Sequence, residues 1–247
     1  MPDLKGQLAI VTGASSGLGE ATAVRLAERG ARVALLARSE ADLDRVAARI
    51  GAGGGAAFAV PTDLADPVAV VAAAERLVSG SGPPRVLINA AATDAPGPAE
   101  EVPVADWQRV IAVNLTAPFL LSRAVFPHMR AAGGGTIVNV SSVAGRRGWA
   151  NASAYCATKF GLTGLTRALA AEGAPHGVRV VSLYPGAMAT HWGTWNPADR
   201  GQPSPAGAED ALPPEDVAAY IAWLVCAPAH LIVTEAVVTP IRERGWP

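Results

Sequence analysis

The sequence predicts an α/β fold: a doubly wound, mainly parallel seven-stranded sheet flanked by helices. Three observations predict it. Short β-branched runs alternate with longer Ala-rich segments, a glycine-rich turn joins the first run to the first such segment, and 247 residues are enough for one sheet of this kind. The expected strands are Leu8 to Thr12, Arg32 to Leu36, Ala56 to Val60, Val86 to Asn89, Thr136 to Ser141, Arg179 to Tyr184 and Glu235 to Thr239. The expected helices are Gly17 to Arg29, Glu40 to Ile50, Pro67 to Ser79, Val104 to Ala131, Ala152 to Glu172 and Pro214 to Cys226. Such a Rossmann-like arrangement fills one domain over residues 1–247 and places ligands at the carboxyl ends of its strands, where the strand order reverses.

Composition narrows the partners. A formal net charge of −1 provides no field to draw nucleic acid or an anionic membrane, so a small molecule is the expected partner. Two cysteines, Cys156 and Cys226, are too few for a disulfide framework, and four scattered histidines have no metal-ligand spacing. No metal is expected, and a reduced cytoplasm is the expected setting. The start of the chain lacks the pattern of a signal peptide, and no later segment is expected to span a bilayer. The stretch Ala187 to Pro214 is rich in Gly and Pro and carries Trp192 and Trp195. A loop of that length inside a compact domain predicts a substrate lid over 187–214, with an unstructured insertion as the plainer alternative.

Thr12-Gly13-Ala14-Ser15-Ser16-Gly17-Leu18-Gly19 follows the first strand and opens the first helix. Backbone N–H groups and the helix N-terminus can face a pyrophosphate there, and the glycines permit close approach. After the second strand, where an acid would hold a ribose 2′-hydroxyl in an NAD enzyme, the chain has Ala37-Arg38-Ser39. Arg38, with Ser39, can bind a 2′-phosphate through charge-assisted hydrogen bonds, which predicts NADP(H) over NAD(H).

Tyr155 and Lys159 are four apart on an expected helix and so share one face. An ammonium beside a phenol favours the phenolate, which predicts a lowered Tyr155 pKa and an acid or base usable at neutral pH. Ser142, at the end of the fifth strand, can orient a carbonyl. Ser141 is its rival, but neighbouring strand residues face opposite sides, so only one points into the site.

Together Thr12 to Gly19, Asn114, Ser142, Tyr155 and Lys159 resemble the short-chain dehydrogenase/reductase family, of the NADP(H)-preferring type, over nearly the whole chain. The resemblance implies that Tyr155 is the general acid in reduction, Ser142 polarises the carbonyl, Lys159 binds the nicotinamide ribose and Asn114 supports a water-linked proton relay. It also implies cofactor contacts from Asp63 and Leu64 at the adenine, from Asn89, Ala90 and Ala91 after the fourth strand, and from Pro185, Gly186 and Thr190 over the nicotinamide. Motif proximity points to a substrate pocket of Thr93, Val143, Trp149, Met188 and Trp192. One departure stands out: the family commonly has Asn-Asn-Ala-Gly where this chain has Asn89-Ala90-Ala91-Ala92, from which weaker stability or a shifted cofactor is expected. The segment Val233 to Pro240 resembles the tail of bacterial members acting on hydroxy acids, serine-like substrates and secondary alcohols.

The expected reaction is therefore hydride transfer between a nicotinamide and a ketone or 3-oxoacyl carbonyl, or a secondary alcohol or hydroxy acid. Two alternatives stay open: a catalytically silent NADPH-binding regulator, and an enzyme similar to sugar-nucleotide epimerases or dehydratases. The resemblance further implies a homotetramer, or a homodimer, with the Val104 to Ala131 and Ala152 to Glu172 helices pairing across subunits.

Overall fold

A computed structural model describes residues 4–190 and 211–242. Seven strands form one sheet in the order β3-β2-β1-β4-β5-β6-β7, with every neighbouring pair parallel. They are β1 (Leu8–Thr12), β2 (Arg32–Ala37), β3 (Ala56–Pro61), β4 (Pro84–Asn89), β5 (Gly135–Val140), β6 (Val178–Pro185) and β7 (Glu235–Val238). The chain builds outward from β1 to β3, then crosses back to β4 on the other side of β1. The order thus reverses between β1 and β4, and a crevice opens at their carboxyl ends.

The helices are α1 (Gly17–Glu28), α2 (Glu40–Ala52), α3 (Pro67–Gly80), α4 (Val104–Ile111), α5 (Ala117–Ala131), α6 (Ser153–Gly173) and α7 (Pro214–Val225). Alternation along the strands sorts them into two layers. Ala9, Val11, Val33, Leu35, Val86, Ile88, Val138 and Leu183 pack with α1, α2 and α7. Leu8, Ile10, Ala34, Leu36, Leu87, Ile137 and Val180 pack with Val70 and Leu77 of α3 and Leu121, Val125 and Met129 of α5. Both faces of the central strands are therefore covered, which is why β1 and β5 are buried at every position instead of alternating between buried and exposed.

The helix expected over 104–131 is one run broken by a π-helical turn at Ala112–Thr116. Pro118 has no N–H to give the carbonyl four residues before it, that of Asn114, so the regular ladder lapses there. By length and composition alone this run passes as a membrane span, with mean hydropathy 1.5, contrary to the expectation that no segment would. Its apolar stripe is spent on the sheet through Leu121, Val125 and Met129. Strand ends also shift by one or two residues: Pro84 opens β4, a position that needs no N–H, and Ser141 lies beyond the end of β5.

Candidate active site

The glycine turn leaves β1 with Gly13 at φ +68°. A Cβ built on Gly13 would lie 2.9 Å from Ala91 Cα, so the turn is pressed against the segment after β4 and only glycine fits. A Cβ on Gly19 would run into the Gly13 carbonyl, so α1 starts directly beneath the turn. Ser16, the N-cap of α1, makes no side-chain capping bond, which leaves first-turn amides to face a ligand. A Cβ on Gly17 would approach Thr190 Cγ2 at 3.4 Å, so Thr190 borders the turn from the β6 side. Arg45 on α2 braces the turn from outside, donating to the Ser15 carbonyl at 2.9 Å while pairing with Glu20.

Arg38 is exposed at the carboxyl end of β2 next to buried Ala37. Ser39 caps α2 by accepting from Asp42 N. Asp63 stands exposed past β3 with Oδ1 accepting from Ala65 N at 3.0 Å, and Leu64 is buried in the α3-side core. After β4, Asn89 Nδ2 donates to Asn139 Oδ1 on β5 at 2.7 Å. Thr12 Oγ1 accepts from both Ala90 N and Ala91 N at 3.1 Å, tying β1 to this segment through its backbone. Gly186, after Pro185, donates to Val238 O at 2.9 Å.

Ser142 follows β5 in extended conformation and caps a 3-10 turn at Val143–Gly145, its Oγ accepting from Ala144 N at 3.1 Å. Its side chain is hydrogen-bonded to that of Tyr155. Ser141 points the other way, its hydroxyl donating to the Lys159 carbonyl, so Ser142 is the one that meets Tyr155. Lys159 is 2 % exposed, donates from Nζ to Val140 O at 2.8 Å and has Nζ 5.4 Å from the Tyr155 ring centroid.

Asn114 sits in the π turn and acts as a bolt. Its Oδ1 accepts from Thr93 N and its Nδ2 donates to Thr93 O, both at 2.8 Å, and to Thr158 Oγ1 at 3.1 Å. Thr158 in turn donates to the Tyr155 carbonyl at 2.8 Å. Both amide hydrogens of Asn114 are thus committed within the chain, and the π turn aims the side chain between the Thr93 strap and α6.

The electrostatics depart from expectation in one respect. The Tyr155 pKa is not lowered but pushed above the ordinary phenol value, chiefly by burial; the Ser142 hydrogen bond works against this, and the Asp94 charge adds to it. Burial also pulls the Lys159 pKa down from 10.5 to about 7. Removing both groups from water disfavours both charged forms, and this outweighs the attraction that spacing alone suggests.

Of the expected pocket residues, Thr93 accepts from Arg109 and lies in the strap, Val143 is half-buried beside Ser142, and Trp149 is 48 % exposed. Met188 packs against the α1 and α7 core rather than standing clear of it, and Trp192 lies outside the described residues. Both ends of the 187–214 stretch are pinned together: Leu212 N donates to Ala187 O, and Ala189 N to Leu212 O, each at 2.9 Å. Sequence reasoning passed over Thr158, which meets Asn114 from 44 residues away, and Asp94, whose charge acts on Tyr155. Among the described residues no cluster of metal-binding side chains occurs.

A dinucleotide cradle at the strand-order reversal, beside a hydroxyl, a phenol and a buried amine, defines an oxidoreductase of the nicotinamide type. Residues 7–200 match the family model described as short chain dehydrogenase. The chain is 40% identical to the cis-4-hydroxycyclohexanecarboxylate dehydrogenase of Sinomonas cyclohexanicum over 232 residues, covering 92% of each chain. It is also 40% identical to the D-threitol dehydrogenase of Mycolicibacterium smegmatis over 190 residues, covering 77% of this chain and 73% of that one. A metagenomic short-chain oxidoreductase solved in complex with NADP superposes with TM-score 0.84 at 38% identity, covering 96% of this chain and 98% of that one. The chain belongs to the short-chain dehydrogenase/reductase family and is an oxidoreductase acting on CH–OH and carbonyl groups.

Proposed function

We propose that residues 1–247 form a single NADP(H)-dependent domain that interconverts a secondary alcohol and its ketone, with Tyr155 as the proton carrier and residues 187–214 as a substrate lid. The observation that carries this reading is the direct hydrogen bond between the Ser142 and Tyr155 side chains above a buried Lys159. The complete set of Ser142, Tyr155 and Lys159 argues against a silent regulator.

The residues fit a nicotinamide dinucleotide: Gly13, Ser15, Ser16, Gly17, Leu18 and Gly19 present bare backbone and an uncapped helix start, and Arg38 offers a cation past β2. Asp63, Leu64, Asn89, Ala90, Ala91, Pro185, Gly186 and Thr190 line the same edge of the sheet, while Lys159 holds the nicotinamide ribose. When bound, the cofactor supplies or accepts a hydride at C4. In reduction Tyr155, kept neutral by its burial, gives its proton to the carbonyl oxygen as the carbinol C–H forms. Ser142 donates to the same oxygen as negative charge develops. Lys159 in its ammonium form then stabilises the phenolate left behind. The side chain of Asn114 keeps Thr93 and the Tyr155 helix in register, and its backbone carbonyl, which Pro118 has no N–H to meet, is where it supports a water-linked proton relay.

The test is a panel of ketones, 3-oxoesters and secondary alcohols run with NADPH and NADH in parallel. Cofactor binding without turnover on any member would favour the regulator. Arg38→Ala is expected to lower NADPH affinity about tenfold or more while changing NADH affinity little, because only the 2′-phosphate meets the guanidinium. An equal loss for both cofactors would refute the NADP(H) assignment.

Trp107, Phe119 and Phe160 are 39%, 43% and 47% exposed on α4, α5 and α6. These support the homotetramer, or homodimer, built by pairing those helices across subunits in a cytoplasmic protein. Light scattering at working concentration should give the mass of four chains or two, and a monomer would remove this part of the reading.

A further inference from the structure

Asp94 follows Thr93 in the segment between β4 and α4, and its backbone is held on several sides. Thr93 is clamped at both N and O by Asn114, and the Asp94 carbonyl accepts from Arg109 Nη2 at 3.2 Å. The carboxylate is left comparatively idle. Among the described residues its one hydrogen bond is from Ala95 N to Oδ1, at 2.7 Å. The Arg109 guanidinium is spent on Asp106 Oδ1, Thr93 Oγ1 and the Asp94 carbonyl. It moderates the Asp94 charge through space without binding it, and the ion pair with Arg109 balances Asp106.

The position of this carboxylate is informative. Asp94 is half-buried, and its charge reaches the Tyr155 phenol. It also lines a cavity of about 330 Å³ whose wall continues through Pro96, Glu101, Val102, Pro103, Asp106 and Arg109. Its neighbour Ala95 packs with Ala154, the residue before Tyr155, so Asp94 lies close to the proton carrier's helix and borders a space large enough for a small organic molecule.

We propose that Asp94 is a specificity-determining residue that accepts a hydrogen bond from a second hydroxyl beside the reacting carbinol, so that the site favours neutral vicinal diols and polyols and turns away substrates with a carboxylate near that carbon. The inference rests on the alcohol–ketone reading above and names the substrate class for that site. A partly dehydrated carboxylate with an idle oxygen gains from an O–H donor, because hydrogen bonds to charged groups are the strong ones. A second carboxylate at the same place meets a like charge in a medium less screening than water. Selectivity then comes from attraction of one class and repulsion of the other.

The test compares the full-length wild type with Asp94→Asn and Asp94→Ala on three four-carbon probes: 2-butanol, 2,3-butanediol and 3-hydroxybutanoate. Asp94→Asn keeps an acceptor for Ala95 N, and thermal melts report whether each variant folds. The wild type is expected to favour the diol over 2-butanol about tenfold or more in kcat/KM, and Asp94→Ala to lose about tenfold of that ratio. Asp94→Asn is expected to raise the ratio of 3-hydroxybutanoate to 2-butanol about tenfold, because it removes the charge. The proposal is overturned if the three proteins show the same ratios, or if the wild type prefers the hydroxy acid. Absence of turnover by the wild type on every probe and on the wider panel, with either cofactor, would instead strike the alcohol–ketone reading and take this inference with it.

Discussion

Replacing Tyr155 by Phe is expected to lower kcat by about 10²- to 10⁴-fold, the span that a positioned proton donor contributes, while dinucleotide affinity stays within about twofold. The hydroxyl is the only atom removed, and it lies where burial holds the phenol neutral and Ser142 binds it. Ser142 keeps its bond from Ala144 N, and the ring keeps its place among Ala144, Ala152 and Cys156, so the fold should survive. In free-energy terms the loss corresponds to about 3 to 5 kcal/mol of transition-state stabilisation, appearing in kcat rather than KM. Steady-state kinetics on the best substrate of the panel, with cofactor titration by fluorescence, separates the two quantities. Turnover within tenfold of wild type would mean that the proton comes from elsewhere.

Much of this site was legible from local pattern. β-branched runs and the glycine turn placed all seven strands to within about two residues and set α1 after the turn, because both signals are local in the chain. Four-residue spacing put Tyr155 and Lys159 on one face, and the two neighbouring serines do turn to different partners, Ser141 to the Lys159 carbonyl and Ser142 to Tyr155. The reading weakened where partners are distant. The π turn in the 104–131 run reflects Pro118 together with an Asn114 side chain that bonds Thr93, 21 residues earlier. Thr12 ties β1 to the backbone of Ala90 and Ala91 across more than 75 residues, a contact that no window along the chain displays. Met188 is half-buried against the core, a contact that its place in the chain does not display.

The largest misreading was electrostatic, and it has the same origin. Spacing says that an ammonium lies near a phenol; it does not say that both are shut away from water. Coulomb attraction between Lys159 and a phenolate is felt only once each has given up its hydration, and for these two residues that cost comes first. A phenol held neutral is suited to giving a proton, so burial that frustrates the simple expectation still serves reduction.

The same burial makes Lys159 a liability for folding, and Lys159→Met should reveal it. The folded chain lowers the ammonium pKa from 10.5 to about 7, so between those values the unfolded chain binds more protons than the folded one. Stability of the ligand-free protein must therefore rise with pH across that interval and be least below it. Three to four units of displacement put the burden at up to about 5 kcal/mol near pH 6, an upper bound because local relaxation softens it. Methionine has a similar length and no charge, and its cost is about 1 kcal/mol for the Val140 carbonyl left without its Nζ donor. Denaturant melts of both ligand-free proteins from pH 6 to 9.5 are expected to show the wild type gaining stability with pH, the variant lacking that gain, and the variant the more stable at pH 6. Parallel curves would show that Lys159 reaches solvent when the site is free. A variant that is both more stable and inactive would indicate that the buried amine is kept for its chemistry at the expense of the fold, the usual conflict between stability and activity at an active site.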